Sequence, residues 1–185
     1  MIEDIQKQAE IRMDKCVDAL KQAFARIRTG RANPSLLDDI TVDYYGSPTP
    51  LNQVASVTVE DARALLISPW EKKMVPVIEK AILKSDLGLT PSSTADVVRL
   101  PMPPLTEEGR KQLGKQARAE TENARVAIRN VRREANAELK KLLKDKDISE
   151  DEERGGEEAI QKLTDRFVAR VDGLLQEKEA DLMEI

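Results

Sequence analysis

The stretch TEEGRKQLGKQARAETENARVAIRNVRREANAELKKLLKDK, from Thr106 to Lys146, reads as one long helix whose charges are sorted by side. At about 100° per residue, with Arg118 set to zero, Lys111, Lys115, Arg118, Arg125, Arg129, Arg132, Arg133, Lys140 and Lys144 fall between roughly 320° and 80°. Leu113, Ala117, Ala124, Ile128, Val131, Ala135, Leu139 and Leu142 fall between roughly 220° and 300°, and Glu120, Glu134 and Glu138 lie near 160° to 200°. One face suits packing and the next suits an anion.

The charge balance sets this helix apart. From Thr106 to Lys146 there are 12 Lys or Arg against 7 Asp or Glu, while the rest of the chain has 18 against 27, for a net charge of −4. An acidic chain that keeps a basic seam fits a defined anionic partner better than indiscriminate polyanion binding. Nucleic acid is the expected partner, with Glu122 as the one acid inside the stripe.

Composition removes several alternatives. With 185 residues the chain can bury a substantial core in one or two domains. Charged residues make up 35% and aromatics only 3%, which favours long amphipathic helices and excludes base stacking as the main binding mode. The absence of histidine excludes His-based triads and most zinc sites. No G-x-x-x-x-G-K-[ST] loop is present, so if the protein works with a nucleotide, another protein binds it. The sequence gives no reason to expect a metal, a cofactor or an enzyme activity. Cys16 lies among apolar positions at helical spacing and is expected to be a small buried hydrophobe. Apolar runs fall far short of a membrane span and the first residues do not form a signal core, so a cytoplasmic protein is expected.

Two further segments read as helices of the same bundle. Ile2, Ile5, Ala9, Met13, Cys16, Leu20, Ala23 and Ile27 recur at steps of three and four, as do Ile160, Leu163, Phe167, Val171, Leu174 and Leu182 with one longer gap. Ser149-Glu150-Asp151-Glu152 matches a capping box, and Gly155-Gly156 behind it should cost the helix about 1 kcal/mol each and fray its first turns. Between the first two helices, residues 31–104 change character. Thr41–Tyr45, closed by Gly46-Ser47-Pro48, then Val54–Val59, Ala64–Ile67 and Val97–Leu100 read as strands. A short helix around Val77–Ile82 admits Pro76 only in its first turn, with Gly88 near its end.

The expected class is therefore α+β: an antiparallel three-helix bundle from residues 1–30 and 105–185, with an inserted small β/α/β domain at 31–104. The chain crosses between the two at Thr29-Gly30-Arg31 and Pro104-Leu105-Thr106. Two such crossings make a hinge, with Thr106 as N-cap of the long helix.

These residues also carry a family resemblance. The run Ile27-Arg28-Thr29-Gly30-Arg31-Ala32-Asn33-Pro34-Ser35-Leu36-Leu37-Asp38, then Tyr44-Tyr45-Gly46, Ser85-Asp86-Leu87-Gly88-Leu89, Pro103-Pro104-Leu105-Thr106-Glu107-Glu108 and Arg129-Asn130-Val131-Arg132-Arg133 resemble bacterial ribosome recycling factor. The resemblance implies an L-shaped monomer of roughly transfer-RNA size that is not an enzyme. It implies a factor that works with elongation factor G and GTP to split the post-termination ribosome into subunits, through a helical arm touching large-subunit ribosomal RNA. Carried over by position, Arg129, Arg132 and Arg133 are the first RNA-contact candidates, supported by Lys111; the basic stripe adds Arg118 and Arg125, and Arg110 completes the set of candidates on the long helix. Arg28 and Arg31 beside the first crossing could face RNA or pack locally.

Three departures from the family pattern stand out. Gly109 replaces one of two arginines expected after Thr-Glu-Glu, Ala95 replaces a glycine before the last strand, and Gly155-Gly156 replace a more polar stretch, read as surface drift. Two rival readings remain open at this stage. One is a coiled-coil scaffold or adaptor that meets an acidic protein, and the other is a small hydrolase, for which no carboxylate pair is singled out by spacing.

Overall fold

The computed structural model describes residues 1–183, so the last two residues of the expected 105–185 segment lie outside the described residues. The chain divides into two compact units. One comprises Met1–Phe24 and Gly114–Ala180, the other Ala25–Leu113 and the chain's last residues from Asp181.

The helical unit is built from three long helices: α1 (Ile2–Arg26), α4 (Glu107–Lys144) and α5 (Glu150–Met183). Each runs beyond the unit at an end that belongs to the other unit. In α1 the buried residues are Ala9, Met13, Val17, Leu20 and Phe24. The seam thus runs through Val17 and Phe24 where the spacing suggested Cys16 and Ala23. Adjacent apolar positions lie about 100° apart on the helix, so which of them faces inward is set by the helices packed against α1. Cys16 is half-buried, and burial pushes its thiol pKa up.

In α5, Ser149 and Glu152 form the expected reciprocal cap: the Ser149 N–H donates to Glu152 Oε1 at 3.1 Å and the Glu152 N–H to Ser149 Oγ at 3.1 Å. The helix then passes through Gly155-Gly156 without a break. The two glycines differ. Nothing lies within 4 Å of a Cβ built at Gly155, whereas one at Gly156 would sit 3.0 Å from Leu139 Cδ2 of α4. Gly156 is therefore part of the helix packing and not surface drift. The buried Thr121 and Thr164 bond back to the carbonyls of Ala117 and Ile160 at 2.8 Å, which satisfies their hydroxyls within their own helices.

The sheet unit holds β1 (Thr41–Tyr44), β2 (Ser47–Pro50), a helical turn α2 (Leu51–Val54), β3 (Ala55–Asp61), β4 (Ala64–Pro69), α3 (Val75–Lys84), β5 (Ser92–Ser93) and β6 (Val98–Pro101). β1 and β2 form a two-stranded antiparallel ladder, and the other strands form an antiparallel sheet in the order β3-β4-β6-β5. Ser47-Pro48 belongs to a strand where the sequence suggested a closing turn. The turn is only Tyr45-Gly46, at φ +52° and +83°, the two-residue geometry that twists a hairpin correctly. Pro76 occupies the first turn of α3 as required, and Ser85 ends that helix three residues before Gly88.

The core of this unit includes Leu51, Leu65, Ile67, Ile78, Ile82, Val98, Leu100 and Met102. Ala95 lies outside the left-handed region, so its turn needs no glycine. No helix among the described residues is long and apolar enough to cross a membrane.

Candidate nucleic-acid interface

The long helix starts where its sequence says it should. Thr106 Oγ1 accepts from the Gly109 N–H at 2.9 Å, Glu107 and Glu108 stand in the first turn, and Lys141 and Lys144 stand in the last. Its inward residues, Ala117, Thr121, Ala124, Ile128, Val131, Ala135 and Leu139, recur at steps of three and four. That stripe fixes the rotation of α4 and leaves the basic stripe outside the packed seam. Lys115, Arg118, Arg133, Lys140 and Lys144 are exposed, and Arg125, Arg129 and Arg132 are half-buried.

The cations of the stripe are not equivalent. Arg125 is the most engaged: its Nε and Nη2 donate to Asp172 Oδ1 of α5 at 3.0 and 2.5 Å, and its Nη1 donates to Glu122 at 3.1 Å. These acids hold its pKa above the ordinary guanidinium value, the Asp172 hydrogen bonds contributing most. Arg129 reaches the other oxygen of Glu122 at 3.3 Å. Arg118 meets Glu179 of α5 at 3.7 Å, and Lys111 meets Glu107 at 3.7 Å. Arg133 donates to Asn130 Oδ1 at 3.5 Å and makes no ion pair among the described residues. Arg132 makes no ion pair or hydrogen bond with the described residues.

Three of the sequence candidates are not part of this stripe of α4. Arg110 precedes Arg118 by eight residues, which turns it about 280° round the helix, toward the packing side. Its Nη1 donates to the Met183 carbonyl at 3.3 Å, and its Nε is buried without a partner. Arg28 is half-buried, donates to the Pro103 carbonyl through Nη2, and has a pKa lowered by burial. The Arg31 N–H donates to Thr29 Oγ1 at 3.3 Å, and its side chain is exposed. The Arg28 contact joins the segment after α1 to the segment before α4, which is local packing.

Sequence reasoning named the stripe but missed its acidic partners on α5. Asp172 and Glu179 carry no local signal that would place them against α4, since that contact depends on how the helices pack. Glu122 was readable, standing three residues before Arg125 and seven before Arg129. Among the described residues, no group of three or more His, Cys, Asp or Glu side chains could hold a metal ion.

This arrangement, a one-sided cationic helix capped and rotated by its own sequence, occurs in a chain with close relatives. The family model for ribosome recycling factor matches residues 20–183. The ribosome-recycling factor of Hahella chejuensis is 64% identical over the full length of both chains. A solution structure of the ribosome recycling factor is 41% identical, with a TM-score of 0.77 over 100% of this chain and 98% of that one. Models of the T. thermophilus ribosome recycling factor and the E. coli elongation factor G bound to the E. coli post-termination complex give 45% identity and a TM-score of 0.68, with both chains fully covered. Matched in sequence along its whole length and in fold, the chain belongs to the ribosome recycling factor family, a family of translation factors and not of enzymes.

Proposed function

We propose that this protein recycles ribosomes in the cytoplasm: with elongation factor G and GTP it splits the post-termination complex into subunits. The basic face of α4 binds large-subunit ribosomal RNA, led by Arg132 and Arg133, with Arg129 beside them. A guanidinium pairs with phosphate through a planar fork, which makes Arg the better side chain for this contact than Lys. The observation that carries the reading is the stripe itself, outside the packed seam and least neutralised from Arg132 onward.

The segments 1–30 and 105–185 act as the RNA-binding arm and 31–104 as the arm that elongation factor G moves. The joints lie at Thr29-Gly30-Arg31 and Pro104-Leu105-Thr106. In support, both joints fall outside helices and strands, and nothing lies within 4 Å of a Cβ built at Gly30. The partner GTPase supplies directed motion, and binding along α4 favours the ribosome state in which the subunit bridge is displaced.

The test is dissociation of purified post-termination ribosomes, followed by light scattering, with each component omitted in turn. Splitting that requires the factor, elongation factor G and GTP together is the expected result. Splitting that proceeds without the factor, or none with all three, would refute the assignment. A coiled-coil adaptor would instead hold an acidic protein without ribosomes and without the steep salt sensitivity of phosphate contacts.

A further inference from the structure

We propose that Glu122 is an internal competitor for phosphate that limits how tightly α4 holds RNA. This inference rests on the reading that α4 binds ribosomal RNA. Glu122 stands at about 40° on the helix wheel, near the middle of the basic arc, where a ligand phosphate would approach. Its two oxygens are divided between two cations: Oε2 lies 3.1 Å from Arg125 Nη1 and Oε1 lies 3.3 Å from Arg129 Nη1. A carboxylate in that position occupies the donors a phosphate needs and repels the phosphate that replaces it.

The two arginines respond differently. Arg125 has a second and closer partner in Asp172, so loss of Glu122 leaves it tied to α5. Arg129 has no other partner among the described residues. Neutralising Glu122 therefore frees one guanidinium, Arg129, and removes one repulsive charge. A factor that must leave the subunit after each round gains from such a limit, because a tighter grip on RNA appears mainly as slower dissociation.

The experiment measures binding of the whole protein to purified large ribosomal subunits between about 50 and 200 mM salt, where phosphate contacts dominate the salt dependence. Four proteins are compared: the unmodified chain, Arg132→Ala, Glu122→Gln and Glu138→Gln. The last makes the same charge change on the same helix but far from the stripe. Both glutamate substitutions are at exposed sites, and circular dichroism checks that the helices persist. One additional phosphate contact steepens the plot of log K against log salt by about 0.7 to 0.9. At 0.1 M salt that corresponds to binding about five- to eightfold tighter.

Glu122→Gln is expected to show both effects, and Glu138→Gln little of either. If Glu122→Gln behaves like Glu138→Gln, or binds more weakly because Glu122 holds Arg129 in position, the competitor role is refuted. If the unmodified protein does not bind large subunits in a salt-dependent way, the RNA-binding reading fails along with it. If it binds and Arg132→Ala weakens it while Glu122→Gln has no effect, only the Glu122 proposal falls.

Discussion

Both units bury large apolar side chains, such as Met13, Ile128, Leu139, Ile160 and Phe167 in the helical unit, but they differ in how many small residues they place among them. The sheet unit buries large branched residues, with Leu65, Ile67, Ile78, Ile82, Val98 and Leu100 all at 0% exposure. The helical unit fills much of its seam with small ones: Ala9, Gly114, Ala117, Thr121, Ala124, Ala135 and Gly156 are all buried. Small residues let helices approach closely but bury little apolar area, and ion pairs run along the edges of that seam. Arg12 meets Glu134 at 2.5 Å, Arg166 meets Glu10 at 2.7 Å and Arg170 meets Asp14 at 3.2 Å. The sheet unit is filled by large residues throughout, whereas the bundle alternates large residues with small ones that set how closely its helices approach.

The largest effects should come from reversing size in each unit. Leu65→Ala is expected to cost about 3 kcal/mol, since it empties a fully buried site in the sheet. Ala117→Leu should cost about 1 to 3 kcal/mol for the opposite reason, because Ala117 is fully buried in the seam and a longer side chain must displace its neighbours. Urea denaturation measures both. If Ala117→Leu is neutral or stabilising, the seam is loosely packed and the contrast between the units is wrong.

This contrast also explains what could be read from the sequence. The long helices were legible because Ile128, Val131, Leu139, Ile160, Phe167 and Val171 keep a helical period, and Thr106 and Ser149 announce the starts of α4 and α5. The choice of Val17 over Cys16 was not legible, because it depends on which way two other helices press against α1. β5 escaped notice because two serines carry no strand pattern and are held by tertiary contacts, pairing with β6 and a Ser93 hydrogen bond to Glu79 of α3 at 2.7 Å. The start of β2 was missed because Gly46-Ser47-Pro48 suggested a closing turn, whereas an edge strand tolerates Pro48. Of the site, the cations were visible and their acidic partners on α5 were not. Which arginines stand free is a tertiary property.

Arg125 and Arg132 therefore make a discriminating pair at an intermediate scale. Arg125→Ala should lower stability by about 1 kcal/mol, since its half-buried side chain joins α4 to Asp172 of α5, and should change RNA binding less. Arg132→Ala should leave stability within about 0.5 kcal/mol and weaken binding to large subunits. Thermal unfolding and subunit binding, measured on both variants, test the separation. Equal stability losses would mean that the Arg125 bridge contributes nothing to the bundle.

Gly155 and Gly156 sharpen the account of the seam within one turn of α5. Gly155→Ala meets open space and should stabilise the protein by up to about 1 kcal/mol through helix propensity. Gly156→Ala should gain less or lose stability, because its new methyl would stand 3.0 and 3.1 Å from the two Leu139 methyls and force that side chain to shift. The denaturation midpoints of the two variants should separate. Equal gains would show that Leu139 yields freely.

The smallest expected effect tests whether surface charge matters in the sheet unit as it does in the bundle. Glu60 on β3 and Arg99 on β6 pair across the central strand β4, with Arg99 Nε donating to Glu60 Oε2 at 2.6 Å. The hydrogen bond from Arg99 depresses the Glu60 pKa below its ordinary value of 4.5. A depressed carboxylate pKa means that the unfolded chain binds the proton more readily. The contribution is therefore fully present above pH 4.5 and is lost as pH falls through the lower folded value. The pair is exposed to solvent, so salt should weaken it. Unmodified protein and Glu60→Gln should differ slightly in melting temperature near neutral pH, and the difference should vanish in acid and at high salt. If it persists in acid, the variant acts through strand packing and not through charge, and the sheet unit depends on apolar volume alone.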